Sequence, residues 1–226
     1  MGTLVTIEPP HARLRALIES QTGVHISAAR AKAAFGAEIA YYVAHSLDGR
    51  DVDSLARLRD ECARVLHEAL DEPALDRAVV RQAMLDSIVF DAYADAARAL
   101  HALRTGGLKL VVCSNWDCSL PEALAHAGLF HLLDAIVPSA VVGAAKPDER
   151  IFEAALNAAG CRPDEAVHVG DSIDADVAGA LASGIAAVLI DRDGTRGPPP
   201  PGTPVVRTLV ELAAALGAGG RMLDHE

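Results

Sequence analysis

Apolar side chains recur at helical spacing from about residue 10 to residue 88. The clearest stripe ends at the Asp-Glu-Pro of residues 71–73 and consists of Leu55, Leu58, Cys62, Val65, Leu66 and Ala69. Residues three or four positions apart share one face of a helix, so this stripe predicts an amphipathic helix that begins at Asp53 or Ser54. Similar stripes predict three further helices, around residues 14–18, 35–43 and 79–84. Residues 9–88 are therefore expected to be all-helical.

After about residue 90 the pattern changes to short apolar runs that alternate with helical stretches. The runs lie at residues 108–113, 135–137, 166–169 and 185–190. Strands that alternate with helices of this length are typical of a parallel sheet covered by helices on both faces. In such α/β folds ligands bind at the carboxyl ends of the strands.

Local signals place the helices of this second region. Ser119 and Glu122 fit a capping box, and Pro147 suits the first position of a helix. A helix is expected over residues 174–183 and a last one near residues 209–216, followed by a loose tail.

Composition and charge exclude several classes of protein. Hydrophobic residues make up 51% of the 226 positions and charged residues 23%, which is typical of a globular chain. The net charge of −11, without a cluster of lysine or arginine, argues against nucleic acid and anionic membranes as partners. No apolar run reaches the ~18 residues needed to span a bilayer. The four cysteines form no CxxC pair and indicate reduced thiols in a cytoplasmic protein.

Two polar segments lie next to predicted elements, at places where an anion could bind. Ser114 and Asn115 end the run 108–113, and a hydroxyl with backbone amides at a strand end can hold a phosphoryl oxygen. Lys146 precedes a predicted helix N-terminus, where its charge is unfavourable unless an anion lies nearby. An ordinary turn and a solvated surface lysine are the alternative interpretations.

Three aspartates follow the run 166–169. Asp171 directly follows Gly170, and carboxylates clustered at a strand end suit Mg²⁺, which prefers oxygen ligands. The alternative is a set of caps for the next helix, and we assign that role to Asp174. Asp171 and Asp176 are the candidate metal ligands.

The order and spacing of these segments resemble the haloacid dehalogenase-like (HAD) hydrolase superfamily, in its branch with an all-helical cap. Ser114 matches the second motif of that family, Lys146 the third, and Gly170-Asp171-Ser172 through Asp176 the fourth. The resemblance extends from Gly2 to about residue 192. It implies a Rossmann-like core formed by residues 1–8 and 89–226, with residues 9–88 as the inserted cap.

The resemblance also implies a chemistry. In this family an aspartate attacks phosphorus to give an aspartyl-phosphate, and a second aspartate two residues later protonates the leaving group. Mg²⁺ and the lysine neutralise the developing charge. By resemblance, Ser114, Lys146 and Asp171 are catalytic, and Asp171 and Asp176 hold Mg²⁺. The phosphate would be bound by Thr3, Ser114, Asn115 and Lys146.

The first motif of the family, Asp-x-Asp-Gly-Thr, is matched only at its end. Gly2-Thr3-Leu4 fits that end, so Met1 falls on the second aspartate and the nucleophile would lie two positions before residue 1. The first, central strand of the sheet is missing too. We therefore expect the natural protein to begin upstream and the chain as written to be inactive. The lesser possibility is a real, shortened chain that has lost the chemistry or pairs with a strand of a partner.

Three functions follow as hypotheses. The first is a Mg²⁺-dependent phosphatase of a small phosphorylated metabolite. The second is a 2-haloacid dehalogenase, which needs no leaving-group acid, although Gly170-Asp171-Ser172 resembles the phosphatase form of the fourth motif. The third is a non-catalytic protein that retains the phosphate pocket. The identity of the substrate and the oligomeric state are not readable from the sequence.

Overall fold

The computed structural model describes residues 2–217. The chain divides into two compact units. One is Ile7–Phe90, and the other combines the residues up to Thr6 with those from Asp91 onward. The expectations for Met1 and for a tail after residue 217 lie outside the described residues.

The unit Ile7–Phe90 is helical. Its helices are α1 (Pro10–Thr22), α2 (Ala28–His45), α3 (Val52–Leu70) and α4 (Arg77–Ser87), with a 3-10 turn at Ser46–Asp48. α3 begins at Val52, one or two residues earlier than predicted, because Asp51 and Ser54 form a capping box. The Ser54 amide donates to Asp51 Oδ1 at 2.8 Å, and the Asp51 amide donates to Ser54 Oγ at 2.9 Å.

Apolar side chains from all four helices fill the interior of this unit. Those that are almost fully buried include Leu14, Ile18, Phe35, Leu66, Val80 and Met84. The stripe predicted on α2 is only partly right, since Ile39 and Val43 are 49% and 67% exposed. The stripe on α3 is right at Leu58, Cys62 and Leu66 because α2 and α4 pack against that face.

The second unit is α/β. Its elements are β1 (Val5–Ile7) and β2 (Phe90–Ala92) at its boundary, then α5 (Ala96–Thr105), β3 (Val111–Ser114), α6 (Leu120–His126), β4 (Ala135–Pro138), α7 (Ser139–Val142), α8 (Glu149–Ala159), β5 (Val167–Gly170), α9 (Gly179–Ala182), β6 (Ala186–Ile190), β7 (Val205–Val206) and α10 (Leu209–Gly217). The alternation predicted from the sequence is confirmed. The short strands β1, β2 and β7 and the single-turn α7 escaped prediction, because three or four residues carry too little periodicity.

The strands β3 to β7 pair in parallel but do not form one continuous sheet. β3 pairs with β4 from Val111–Ala135 to Ser114–Pro138, and β5, β6 and β7 form a second parallel set. β1 pairs with β2. Within residues 2–217 no strand joins β3 to β5. The predicted α/β class is confirmed, and the break in the sheet falls between the two strands that carry the predicted motifs.

Two predicted helix starts are wrong. Ser119 does not cap α6, because its hydroxyl donates to Asp117 Oδ1 at 2.6 Å and makes no capping bond. Pro147 is not the first residue of α8. A cis Lys146–Pro147 bond precedes the helix, and Asp148 caps it by accepting the Arg150 amide at 3.0 Å.

The helix expected over residues 174–183 is wrong in form. It opens as a π-helical segment, Ile173–Ala178, and only then continues as α9. Its cap is Ser172, whose Oγ accepts the Ala175 amide at 3.1 Å, and not the exposed Asp174. Within this irregular turn the Asp176 carboxylate reaches His168 of β5.

One face of the parallel strands packs on α8. Ile151 and Phe152 of α8 are fully buried in a cluster with Val137, Val177 and Leu189. Gly179 permits this packing, because a Cβ there would overlap the Phe152 ring. None of the helices within residues 2–217 combines the length and the apolar character that crossing a bilayer would require.

Candidate active site

A cleft of about 880 Å³ in the α/β unit brings the predicted motifs together. It runs along β3 and β5 and includes the turns that follow them. Its polar lining contains Thr3, Ser114, Asn115, Lys146, Asp171 and Asp176. The carboxyl ends of parallel strands meet at one edge of a sheet, which explains how residues far apart in the sequence share one cleft.

Lys146 is fixed at this edge by both its side chain and its backbone. Its Nζ donates to Asp176 Oδ1 at 2.6 Å and to the Cys113 carbonyl at 2.8 Å, and its side chain is only 10% exposed. The Asn115 amide group clamps the Lys146 backbone through two hydrogen bonds of 2.7 and 3.0 Å. Asn115 therefore positions the lysine in this structure.

Asp176 is the centre of a buried polar network. Its Oδ1 accepts from Lys146 and from His168 Nε2, the latter at 2.9 Å, and its Oδ2 accepts the Ser172 amide at 2.9 Å. Burial opposes ionisation of this carboxyl. His168 and Lys146 outweigh that effect and hold the pKa of Asp176 well below its usual range. Gly170 leaves room for the network, since a Cβ there would overlap the Asp176 side chain.

His168 completes the network from within β5. Burial lowers the pKa of His168, and the nearby charge of Lys146 lowers it further, while Asp176 opposes the shift. The imidazole is therefore neutral near pH 7 and donates its Nε2–H to Asp176. Sequence reasoning missed this residue. The available signal was a single polar side chain inside the apolar run Val167-His168-Val169.

Asp171 lines the same cleft and faces a cation. Its Oδ2 is 2.9 Å from Arg196 Nη2, and its Oδ1 accepts from Thr3 Oγ1 at 3.4 Å. Gly2 passes directly over this carboxylate with φ of 103°, and a Cβ at Gly2 would overlap it. Glycine is therefore required here both by its conformation and by the close approach.

Arg192 holds the segment that carries Gly2 and Thr3. Its guanidinium donates to the Gly2 carbonyl at 3.0 Å and to the Thr3 carbonyl at 2.7 Å. The same group lies 3.8 Å from the centre of the Tyr93 ring and 3.1 Å from Asp95. Arg192 was also missed, because no local pattern connects residues 190 positions apart.

The two carboxylates of the cleft, Asp171 and Asp176, are compatible with Mg²⁺ but do not enclose an ion by themselves. Among residues 2–217 no group of three or more His, Cys, Asp and Glu side chains is arranged to hold a metal. Mg²⁺ commonly uses one or two carboxylates and completes its shell with water and substrate phosphate. Asp171, which already attracts a guanidinium, fits that requirement. Asp176 is buried and accepts three hydrogen bonds, whereas Asp171 has an ion pair with Arg196 and one long hydrogen bond from Thr3, so Asp171 is the better placed of the two aspartates.

Cys113 contributes its backbone to the site. Burial raises the pKa of its thiol to about 11, against the opposing charge of Lys146. The thiol is therefore protonated near pH 7 and is a poor nucleophile. Its carbonyl, by contrast, accepts from Lys146 Nζ and orients the ammonium.

The sequence of this chain is similar to those of known hydrolases. The family model for haloacid dehalogenase-like hydrolases matches residues 1–184. The phosphoserine phosphatase of Thermus thermophilus is 37% identical over 149 residues, which are 64% of this chain and 59% of that protein. The chain thus spans less than two thirds of the length of that relative.

Two solved structures share the fold over nearly the whole chain. A HAD phosphatase from Thermococcus onnurineus has a TM-score of 0.65 at 26% identity, and the match covers 96% of this chain and 94% of that one. A dehalogenase has a TM-score of 0.69 at 26% identity, covering 96% and 93%.

Proposed function

We propose that this chain, which belongs to the haloacid dehalogenase-like hydrolase family, is a Mg²⁺-dependent phosphatase of a small phosphorylated metabolite. One observation carries the proposal. The Lys146 ammonium, the Ser114 hydroxyl and the Asp171 carboxylate line one cleft. A fixed cation and a hydroxyl suit a phosphoryl group, and a carboxylate suits the ion that accompanies it. The likeness to a phosphatase of a phosphorylated amino acid supports the same class of substrate.

The residues of the cleft bind and orient the phosphoryl group. Lys146 is held by Asp176 and the Cys113 carbonyl, so its ammonium loses little side-chain freedom when an anion binds. Ser114 at the end of β3 offers a hydroxyl to another phosphoryl oxygen. Because the network is buried, its charges act through a medium of lower dielectric than water, which strengthens their attraction for the anion.

Asp171 would hold Mg²⁺, with Asp176 as the second proposed carboxylate. When bound, Mg²⁺ supplies charge neutralisation on the phosphoryl oxygens. Without it, the Arg196 guanidinium neutralises Asp171 and Thr3 donates to it. These contacts keep the carboxylate oriented toward the carboxyl edge of the strands.

We expect the 226-residue chain to bind phosphate with little or no turnover. No residue of it matches the nucleophilic aspartate of the family motif, which would lie two positions before residue 1. Loss of a nucleophile that acts as a unit with its neighbours can lower a rate by roughly a million-fold. Binding is therefore the measurement that tests the site directly.

Titration calorimetry with inorganic phosphate in the presence of Mg²⁺ tests the assignment of Lys146. The variant Lys146→Met should weaken phosphate binding by at least about tenfold, because it removes the charged donor. Lys146→Arg should retain more of the affinity, and circular dichroism checks that both variants fold. The matched control, Lys32→Met on the exposed face of α2, should bind like the unmodified chain. Equal affinity in Lys146→Met and the control would refute the assignment.

A 2-haloacid dehalogenase is the second candidate, favoured by the fold shared with a dehalogenase at 26% identity. Release of phosphate from phosphoserine and of halide from a 2-haloacid, each measured with and without EDTA, separates the two functions. Any phosphate release that the chain sustains should be abolished by EDTA. Halide release that survives EDTA would replace the phosphatase proposal with a dehalogenase.

A further inference from the structure

The Asp171 carboxylate of the cleft is paired with a cation that the chain itself supplies. Its Oδ2 lies 2.9 Å from Nη2 of Arg196. The other hydrogen bond that the described residues give this carboxylate comes from Thr3 Oγ1, and at 3.4 Å it is longer than the ~2.7 Å typical of a hydroxyl donor. Arg196 is therefore the principal countercharge of Asp171 among residues 2–217.

The two ion pairs made by the carboxylates of the cleft differ in how firmly they are held. The side chains of Lys146 and Asp176 are 10% and 7% exposed, and His168 also donates to Asp176. In the pair of Arg196 with Asp171, the arginine side chain is 42% exposed and the aspartate side chain 17%. Exposed ion pairs contribute little to stability, because water competes for both charges. The first pair is a fixed part of the structure, whereas the second can be exchanged for another cation at little cost.

The backbone that carries Arg196 is tied in place by a buried carboxylate. Asp191 directly follows β6 and is 9% exposed. Its Oδ1 accepts the amides of Gly194 and Thr195, each at 3.0 Å, and its Oδ2 accepts the Arg196 amide at 3.4 Å. Gly194 makes this tight turn possible because it adopts a φ of 75°. The turn therefore fixes the backbone of Arg196 relative to the end of β6, independently of what its side chain binds.

The segment that follows Arg196 is also restricted in its conformation. Gly197, with a φ of 80°, leads into four consecutive prolines at residues 198–201, and each proline ring fixes φ near about −65°. The Leu189 amide of β6 donates to the Pro204 carbonyl at 3.0 Å, which joins the end of this segment to the sheet. A residue between two restrained segments loses little backbone entropy when its side chain binds. The turn and the prolines therefore present the arginine side chain from a preorganised backbone.

A divalent cation and this guanidinium require the same carboxylate. Mg²⁺ binds carboxylate oxygens at ~2.1 Å, whereas Arg196 lies at hydrogen-bond distance from Oδ2 of Asp171. Two cations on one carboxylate repel each other, so one of them has to leave. We propose, resting on the proposed role of Asp171 as a metal ligand, that Arg196 competes with the divalent cation for Asp171 and thereby sets the affinity of the site for the metal. The cation displaces the guanidinium, and the restrained backbone keeps the freed side chain close enough to return.

Mn²⁺ serves as the probe, because it prefers the same oxygen ligands as Mg²⁺ and its electron paramagnetic resonance signal reports the free ion. In titrations of the whole chain at about 0.15 M salt, Arg196→Met should lower the Kd for Mn²⁺ by at least about threefold, because the competing charge is gone. Mg²⁺ added to the same samples displaces Mn²⁺ and gives the affinity for Mg²⁺. Arg196→Lys keeps a charge without the guanidinium fork, so its Kd should fall between those of Arg196→Met and the unmodified chain.

Arg162→Met is the matched control, since Arg162 pairs with Asp164 in the same unit and both side chains are 70% exposed. It removes one positive charge from the chain, as Arg196→Met does. The four residues of β5 separate it from Asp171 by a length of about 13 Å, which exceeds the ~8 Å over which charges act at this salt concentration. Its Kd for Mn²⁺ should therefore change less than about 1.5-fold. Circular dichroism checks the folding of each variant, and Arg196→Lys keeps the test valid if Arg196→Met fails to fold.

The variant Asp171→Asn separates a failure of this competition from a failure of the proposed metal site. It should weaken Mn²⁺ binding at least about tenfold, and adding Arg196→Met to it should then change the Kd less than about 1.5-fold. Equal binding by Asp171→Asn and the unmodified chain would refute the metal site and the competition with it. If Asp171→Asn weakens binding but Arg196→Met behaves like the control, the competition alone is refuted. The same holds if the gain from Arg196→Met persists in the double variant.

Discussion

The two units of this chain fill their interiors in different ways. In the helical unit, side chains such as Leu14, Ile18 and Leu66 are completely buried against one another. In the α/β unit, α8 reaches the same degree of burial, but β3 and most of β5 are only partly buried along the cleft. The first unit is closed by apolar packing, and the second is organised around a cleft and the buried polar network of Asp176.

This difference follows from how far apart the partners lie in the sequence. Each helix of the first unit presents a stripe that its own sequence defines, and the stripes meet across short loops. The α/β unit depends on pairings between distant strands, and where a neighbour is lacking its strands keep exposed edges. Its site residues lie beside the cleft between β3 and β5. The same few side chains therefore contribute both to stability and to binding.

The largest expected effect comes from breaking the buried network. Asp176→Asn removes the negative charge that Lys146 and His168 share, and it should destabilise the α/β unit by ~3–5 kcal/mol, as measured by urea unfolding. The matched change in the helical unit is Asp60→Asn, which breaks an exposed pair with Arg81 and should cost only ~0–1 kcal/mol. Similar losses in the two variants would show that the network contributes no more than a surface ion pair.

Apolar truncations should show the opposite asymmetry between the units. Leu66→Ala in the closed helical core should cost ~2–5 kcal/mol, because it leaves a cavity among packed side chains. Val112→Ala borders an existing cleft and should cost about 1 kcal/mol or less. Urea titrations followed by circular dichroism give both values. A loss at Val112 as large as that at Leu66 would mean that the cleft is closed in solution.

The smallest effect is a dependence of stability on pH that arises from the buried network of the α/β unit. The pKa of His168 is lowered in the folded chain, so below its unfolded value of ~6.5 the unfolded state binds the proton first and stability falls as pH falls. The slope can reach at most ~1.4 kcal/mol per pH unit for one group. The depressed pKa of Asp176 adds a further loss below about pH 4, where the unfolded carboxyl is protonated.

His168→Gln should flatten the slope between about pH 6.5 and the folded pKa of His168 while leaving the loss below about pH 4. Unfolding free energies measured at half-unit pH steps provide the check. An unchanged slope in His168→Gln would assign the pH dependence to other groups.

Much of the local structure was readable from the sequence, and the errors have physical causes. The helices of the first unit follow their stripes because helix formation and burial obey the same period. Ile39 and Val43 break that rule, since their side chains remain exposed on α2. Ser114 and Asp171 were selected because polar residues at strand ends are a local signal, and Lys146 because it precedes a predicted helix N-terminus. His168, Arg192 and Arg196 gave almost none.

The sequence alone determined the alternation of strands and helices, the helical segment, and the motif residues that converge on the carboxyl edge of the strands. These depend on periodicity and on residue type, which any window of the chain displays. Only the tertiary structure decided which groups donate hydrogen bonds to Asp176, which cation faces Asp171, and that β3 and β5 flank an open cleft. Those facts depend on contacts between residues up to 190 positions apart, and folding creates such contacts through packing, which a linear pattern does not record.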